Sequence, residues 1–87
     1  MLDILERKFQ SQLIKRIRKE MPEAAVLKTD PNYCQGFPDL LILHGKHWAA
    51  IEVKREEHAP HRPNQDHWIQ RLNRMSYARF IYPENTE

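Results

Sequence analysis

Between residues 2 and 21 apolar side chains recur three or four positions apart, at Leu2, Leu5, Phe9, Leu13, Ile17 and Met21. An α-helix returns to the same face about every 3.6 residues, so this spacing predicts a helix over residues 2 to 20 with one apolar stripe. Arg7, Lys8, Lys15, Arg18 and Lys19 fall on the opposite face, where a solvated surface is the simplest reading. Pro22 ends the run. "AAVLKT" (24 to 29) reads as a short strand, and "DPNY" after it has turn chemistry. "GFPDLLILHGKHWAAIEVK" (36 to 54) reads as a β-hairpin, since Gly45-Lys46 suits a two-residue type II′ turn with glycine first. "REEHAPHRP" (55 to 63) is a polar loop. A second helix is predicted from about Pro63 to Met75, with Trp68, Ile69, Leu72 and Met75 as its buried face, and "ARFIYP" (78 to 83) closes the chain as a strand. The order α-β-β-β-α-β describes an α/β sandwich. Most hairpin positions are apolar on both faces, which implies a small mixed sheet with helices on both sides.

The polar residues that break these patterns carry the chemistry. With the turn at Gly45-Lys46, His44 pairs with His47, Leu43 with Trp48, and the ladder continues until Asp39 faces Glu52. Alternation puts Glu52 and Lys54 on one face beside Asp39. A slip of one residue would scatter the three charges. Glu6 lies within the first apolar stripe, and Gln65 sits three and four residues before Trp68 and Ile69 in the second. An ionised carboxylate does not enter an interface without compensation. Both residues are therefore expected to meet the charged corner of the sheet, unless rotation of the helices brings them to the rim.

Composition narrows the picture without deciding it. At 87 residues, with 14 Lys and Arg against 12 Asp and Glu, the chain reads as a single domain (1–87) of formal charge +2. A chain this short buries only about 60 to 65% of its unfolded surface, so dimerisation or a bound metal would add to its stability. The mild basic balance permits a nucleic-acid partner and does not demand one. Cys34 is the single cysteine, which excludes an internal disulfide and suits a reducing, cytoplasmic compartment. The N-terminus lacks the basic-then-apolar order of a signal peptide, and no apolar run nears the ~20 residues of a membrane span. His58 and His61, with His67 and Cys34 elsewhere, lack the tight paired spacings of a zinc site. Two or three carboxylates, a backbone carbonyl and water would instead make an oxygen-rich shell suited to Mg²⁺ or Mn²⁺. Such an ion could activate a water against a phosphodiester while a lysine stabilises the developing charge.

Gly36-Phe37-Pro38-Asp39 followed by Glu52-Val53-Lys54 resembles the PD-(D/E)XK nuclease signature. With Glu6 in the first helix and Gln65-Asp66-His67-Trp68 in the next, the chain is similar to one branch, the virus-type replication-repair nuclease (VRR-NUC) domain, from about residue 5 to 82. That resemblance implies a restriction-endonuclease-like fold and divalent-metal-dependent DNA cleavage. It implies Glu6, Asp39, Glu52 and the Val53 carbonyl as ligands, Lys54 as catalytic lysine and Gln65 as its helper. It also implies a phage or bacterial homodimer acting on branched DNA such as Holliday junctions, where paired sites could nick two strands symmetrically. Arg62-Pro63 stands where the family often has a small hydroxyl residue, and Ser76-Tyr77 where it often has glycine. Lys28, Arg55 and Arg62 are candidates for phosphate contacts, and Gly36 for a close backbone approach. The alternatives are a catalytically inactive junction-binding module, a nuclease directed at flaps or single strands, and a subunit whose apolar surface serves a protein partner.

Overall fold

The computed structural model describes residues 4–30 and 32–86, so the predicted places of Leu2 and Pro31 lie outside the described residues. The chain forms α1 (Ile4–Glu20), β1 (Ala25–Lys28), β2 (Leu40–His44), β3 (His47–Val53), α2 (Gln65–Met75), β4 (Tyr77–Ile81) and a 3₁₀ turn at Pro83–Asn85. The element order matches the sequence expectation. The four strands lie in the order β1-β2-β3-β4, with β1, β2 and β3 antiparallel and β4 parallel to β3.

The hairpin register is the predicted one: His44 pairs with His47, Leu43 with Trp48, and Leu40 with Ile51. Gly45 has φ +62°, whereas Lys46 is not among the positive-φ residues, as a type II′ turn requires. On one face of the sheet Leu13, Ile14 and Ile17 of α1 pack on Leu40, Ile42, Ile51 and Val53. On the other, Ile69 and Leu72 of α2 pack on Ala50 and Ala78, flanked by Phe37, Leu41, Trp48 and Phe80. Both faces are thus covered, though unequally. α2 lies over β3 and β4, which leaves Leu27 and Leu43 exposed on the same face beyond it.

The helices turn differently from the simplest reading of their stripes. In α1 the buried residues are Glu6, Gln10, Leu13, Ile14 and Ile17, while Leu5 and Met21 are exposed. The physical reason is that α1 must cover the sheet with its C-terminal half and line the sheet's end with its N-terminal half, so Glu6 and Gln10 displace Leu5 from the inner face. In α2 the buried set is Gln65, Ile69 and Leu72, with Trp68 half-buried and Met75 exposed. The helix begins at Gln65 rather than Pro63 because Asn64 takes a left-handed conformation, φ 70°, that interrupts the helical run. Asparagine tolerates this region better than most residues.

Candidate active site

Two backbone anchors bring the carboxylates together. The hydroxyl of Thr29 donates to the Pro38 carbonyl at 2.7 Å, and the Thr29 N–H donates to the Asp39 carbonyl at 2.9 Å. These bonds tie the entry to β2 against the end of β1. Asp39 Oδ2 then accepts from the Val53 N–H at 3.0 Å, across the end of the hairpin. A strand residue's N–H and C=O leave on the same edge, so the Val53 carbonyl faces the Asp39 side. Lys54 N–H donates to Ile81 O at 2.9 Å, which fixes the next residue on the opposite edge.

Behind this pair lies a buried polar relay. Lys54 Nζ donates to Gln65 Oε1 at 2.7 Å and to the Pro60 carbonyl at 3.0 Å. Gln65 Oε1 also accepts from the Arg62 N–H at 2.7 Å, and Gln65 Nε2 donates to Glu52 Oε2 at 2.9 Å. The two donors on Oε1 fix the orientation of the amide. Exposure is 3% for Glu52, 4% for Lys54, 6% for Gln65 and 8% for Glu6. An ammonium and a carboxylate this deep are tolerated because each has directed partners.

Electrostatically the carboxylates are in conflict. Burial, the adjacent Asp39 carboxylate and, more weakly, Glu6 push the Glu52 carboxyl up to about 9, with Lys54 pulling the other way. Burial also raises Asp39, opposed by its bond from Val53 and by Glu52, Lys54 and Arg62. Two carboxylates desolvated side by side disfavour full ionisation, and a cation between them would remove that conflict.

A cleft of about 540 Å³ opens over this corner, lined by Glu6, Lys28, Gly36, Asp39, Glu52, Lys54, Arg62 and Gln65 among others. Most of the residues singled out from the sequence therefore meet in one place. Glu6 lines the same cleft, and among the described residues no group of three or more His, Cys, Asp or Glu side chains is arranged to hold a metal ion. Arg55 does not belong to the cleft. It lines a separate groove of about 510 Å³ with Lys8, Phe9, Arg16 and Pro83, because the chain turns away from the sheet end immediately after Lys54. His61 is engaged with Asp66 at 2.8 Å and stacks on Phe80 at a centroid distance of 4.0 Å. The sequence reading missed Gln10, Thr29, Asn32 and Gln35 on the cleft wall. Gln10 carried a usable signal, a polar residue one turn beyond Glu6 on the face that also holds Leu13 and Ile17.

Gly36 (φ +83°) supports the far wall. A Cβ there would lie 2.7 Å from Asn64 Cβ and 2.8 Å from both the Asn64 carbonyl carbon and the Pro63 oxygen. The loop before β2 and the start of α2 thus touch where only glycine fits.

A four-stranded mixed sheet flanked by two helices, with the PD and ExK residues at one sheet end, is a restriction-endonuclease-like fold carrying the PD-(D/E)XK nuclease signature. The VRR-NUC domain profile matches residues 3–81. The chain belongs to the VRR-NUC family, which implies a nuclease-type function with DNA as substrate. A solved structure described as a VRR_NUC domain protein superposes with a TM-score of 0.69 at 17% identity, covering 94% of this chain and 80% of that one. At that identity the likeness speaks for the fold. No curated protein matches.

Proposed function

We propose that the protein is a divalent-metal-dependent DNA endonuclease acting on branched DNA as a homodimer. The observation that carries this reading is the Asp39–Glu52 pair. A buried Glu52 carboxyl, pushed up to about 9, beside the half-buried Asp39 costs stability that a bound cation offsets. The donors fit such an ion: Asp39, Glu52, the Val53 carbonyl and cleft water are hard oxygen ligands of the kind Mg²⁺ or Mn²⁺ takes. When bound, the ion would supply Lewis-acid activation of water and neutralise phosphate charge. Glu6, on the α1 wall of the same cleft, would reach it through water.

Lys54 carries the protein's own part of the chemistry. Its ammonium, held by Gln65 and the Pro60 carbonyl, keeps a third N–H for an attacking water or a phosphate oxygen. Gln65 sets the direction of that ammonium while also holding Glu52. Lys28 and Arg62, on the rim, suit backbone phosphates, which position a strand without reading its sequence. Exposed Leu27 and Leu43, beside the edge strand β1, offer a second copy an apolar face and a strand to extend.

The test is cleavage of labelled four-way junction, splayed-arm, linear duplex and single-stranded DNA, with Mg²⁺, Mn²⁺ or chelator. Metal-dependent cutting of the junction that disappears in Glu52→Ala supports the reading. Binding with no cutting under any condition would favour an inactive junction-binding module instead, and preference for single strands or flaps would move the substrate class.

A further inference from the structure

The polar group that the relay leaves out is Gln10. Its residue is 6% exposed, one helical turn beyond Glu6 on the cleft wall formed by α1. Among the described residues its carboxamide has no hydrogen-bond partner, although no fully enclosed side-chain nitrogen or oxygen is left unsatisfied. The amide atoms must therefore open onto the cleft. There it is served by the water of the cleft, and a group bound in the cleft would meet it in place of that water.

We propose that Gln10 is a positioning residue for the divalent ion, accepting a hydrogen bond through Oε1 from the water that links the ion to Glu6. The inference rests on the metal-dependent reading above. Three observations favour a hydrated cation over a DNA phosphate as the group that Gln10 meets. Its neighbour one turn away, Glu6, offers carboxyl oxygens, acceptors that suit a hydrated cation and not the acceptor oxygens of a phosphate. Glu6 and Gln10 line the same cleft as Asp39 and Glu52, yet among the described residues the carboxylates form no three-membered metal-holding group of their own, so water would complete the shell. The cationic and donor side chains Lys28, Lys54, Arg62 and Gln65 also line the cleft, and these are the groups suited to phosphate. Water on a divalent cation is a strong hydrogen-bond donor. A carboxylate and a neutral amide oxygen on one helical face are the acceptors such water needs, and groups of this kind orient what the direct ligands hold.

The test is calorimetric titration of Mg²⁺ and Mn²⁺ into the DNA-free protein, for wild type, Gln10→Met and Gln10→Glu, with thermal unfolding in chelator run in parallel. Gln10→Met keeps the shape and removes the acceptor. It should bind the ion about 10-fold more weakly or worse, with metal-free unfolding at or above the wild-type temperature. Gln10→Glu restores an acceptor and should bind at least as tightly as wild type. Equal ion affinity in wild type and Gln10→Met would overturn the role of Gln10 and leave the metal site standing. Absence of ion binding in wild type would overturn the metal reading itself. If Gln10→Met does not fold, an ion affinity for Gln10→Glu below that of wild type would overturn the inference by itself.

Discussion

Lys54 Nζ lies 2.7 Å from Gln65 Oε1, and the same amide hands its Nε2 to Glu52 at 2.9 Å. One neutral side chain therefore joins the only buried ammonium among the described residues to one of the paired carboxylates. Gln65→Leu should break both bonds and leave Lys54 held by the Pro60 carbonyl alone. Single-turnover cleavage should fall by about 10- to 100-fold, as for other groups that orient a catalytic side chain. Gln65→Glu should lose less, since its oxygen still meets Lys54. A Gln65→Leu enzyme with wild-type turnover would remove Gln65 from the machinery.

Lys54→Met should separate catalysis from ion binding. The thioether fills the same volume, and Asp39 and Glu52 keep their positions through the hairpin. Cleavage should fall at least ~10²-fold, within the usual range for a positioned charge or proton donor, with Mg²⁺ affinity within a few-fold of wild type. Asp39→Asn should lose both. Calorimetry alongside a cleavage time course distinguishes the two variants.

Stability should depend on pH in a direction opposite to that of a salt-bridged carboxylate. Glu52 is raised from an ordinary 4.5 to about 9, so the folded state holds more protons than the unfolded state across that window. Stability is fully present below pH ~4.5 as far as this group is concerned, and falls as pH rises towards 9. In chelator, the unfolding free energy should drop between pH 6 and pH 9 by an amount on the order of a few kcal/mol, with a matching fall in unfolding temperature. Glu52→Gln should flatten the slope, and Mg²⁺ should restore most of the loss at the alkaline end. A chelated wild type whose stability rises through this range would contradict the raised Glu52 carboxyl.

Gly36→Ala should disturb the site from a distance. The added Cβ would meet Asn64 and Pro63 at 2.7 to 2.8 Å in a backbone with φ +83°. The cost should be about 1–3 kcal/mol for the conformation alone, with more from displacement of the turn that starts α2. Because Gln65 is the first residue of that helix, cleavage should fall further than unfolding temperature alone accounts for. Urea melts and activity measured on the same preparation test both parts.

The proposed dimer, paired through the uncovered half of the sheet, is tested at Leu27 and Leu43. Leu27→Lys combined with Leu43→Lys places two charges on exposed apolar positions that do not line the cleft. Light scattering should show a dimer becoming a monomer with little change in unfolding temperature. A double variant of unchanged mass would move the interface elsewhere.

Much of this fold was legible because its signals are local. The 3.6-residue period of α1 and the glycine at position 45 fix a helix and a register, and the register alone brings Asp39 to Glu52. What the sequence hid was rotation and direction. Leu5 and Met75 fit their apolar stripes yet stand exposed, because each helix turns its inner face towards the sheet end and so buries Glu6, Gln10 and Gln65. Arg55, adjacent to Lys54 in sequence, points into another groove since the chain turns away from the sheet end just past β3, which closes at Val53. Asn64 stops α2 from starting at Pro63 through a backbone conformation that no periodicity records.

The two glycines divide the molecule into a tolerant end and an intolerant one. At Gly36 two loops far apart in sequence are wedged so closely that neither can lengthen without moving the other. At Gly45, on the opposite end of the same hairpin, an added Cβ would find nothing within 4 Å. A reporter group, affinity tag or short inserted loop therefore has a natural address at the Gly45-Lys46 turn. The protein could be labelled, tethered to a surface or fused to a second module there while the cleft at the other end keeps its shape.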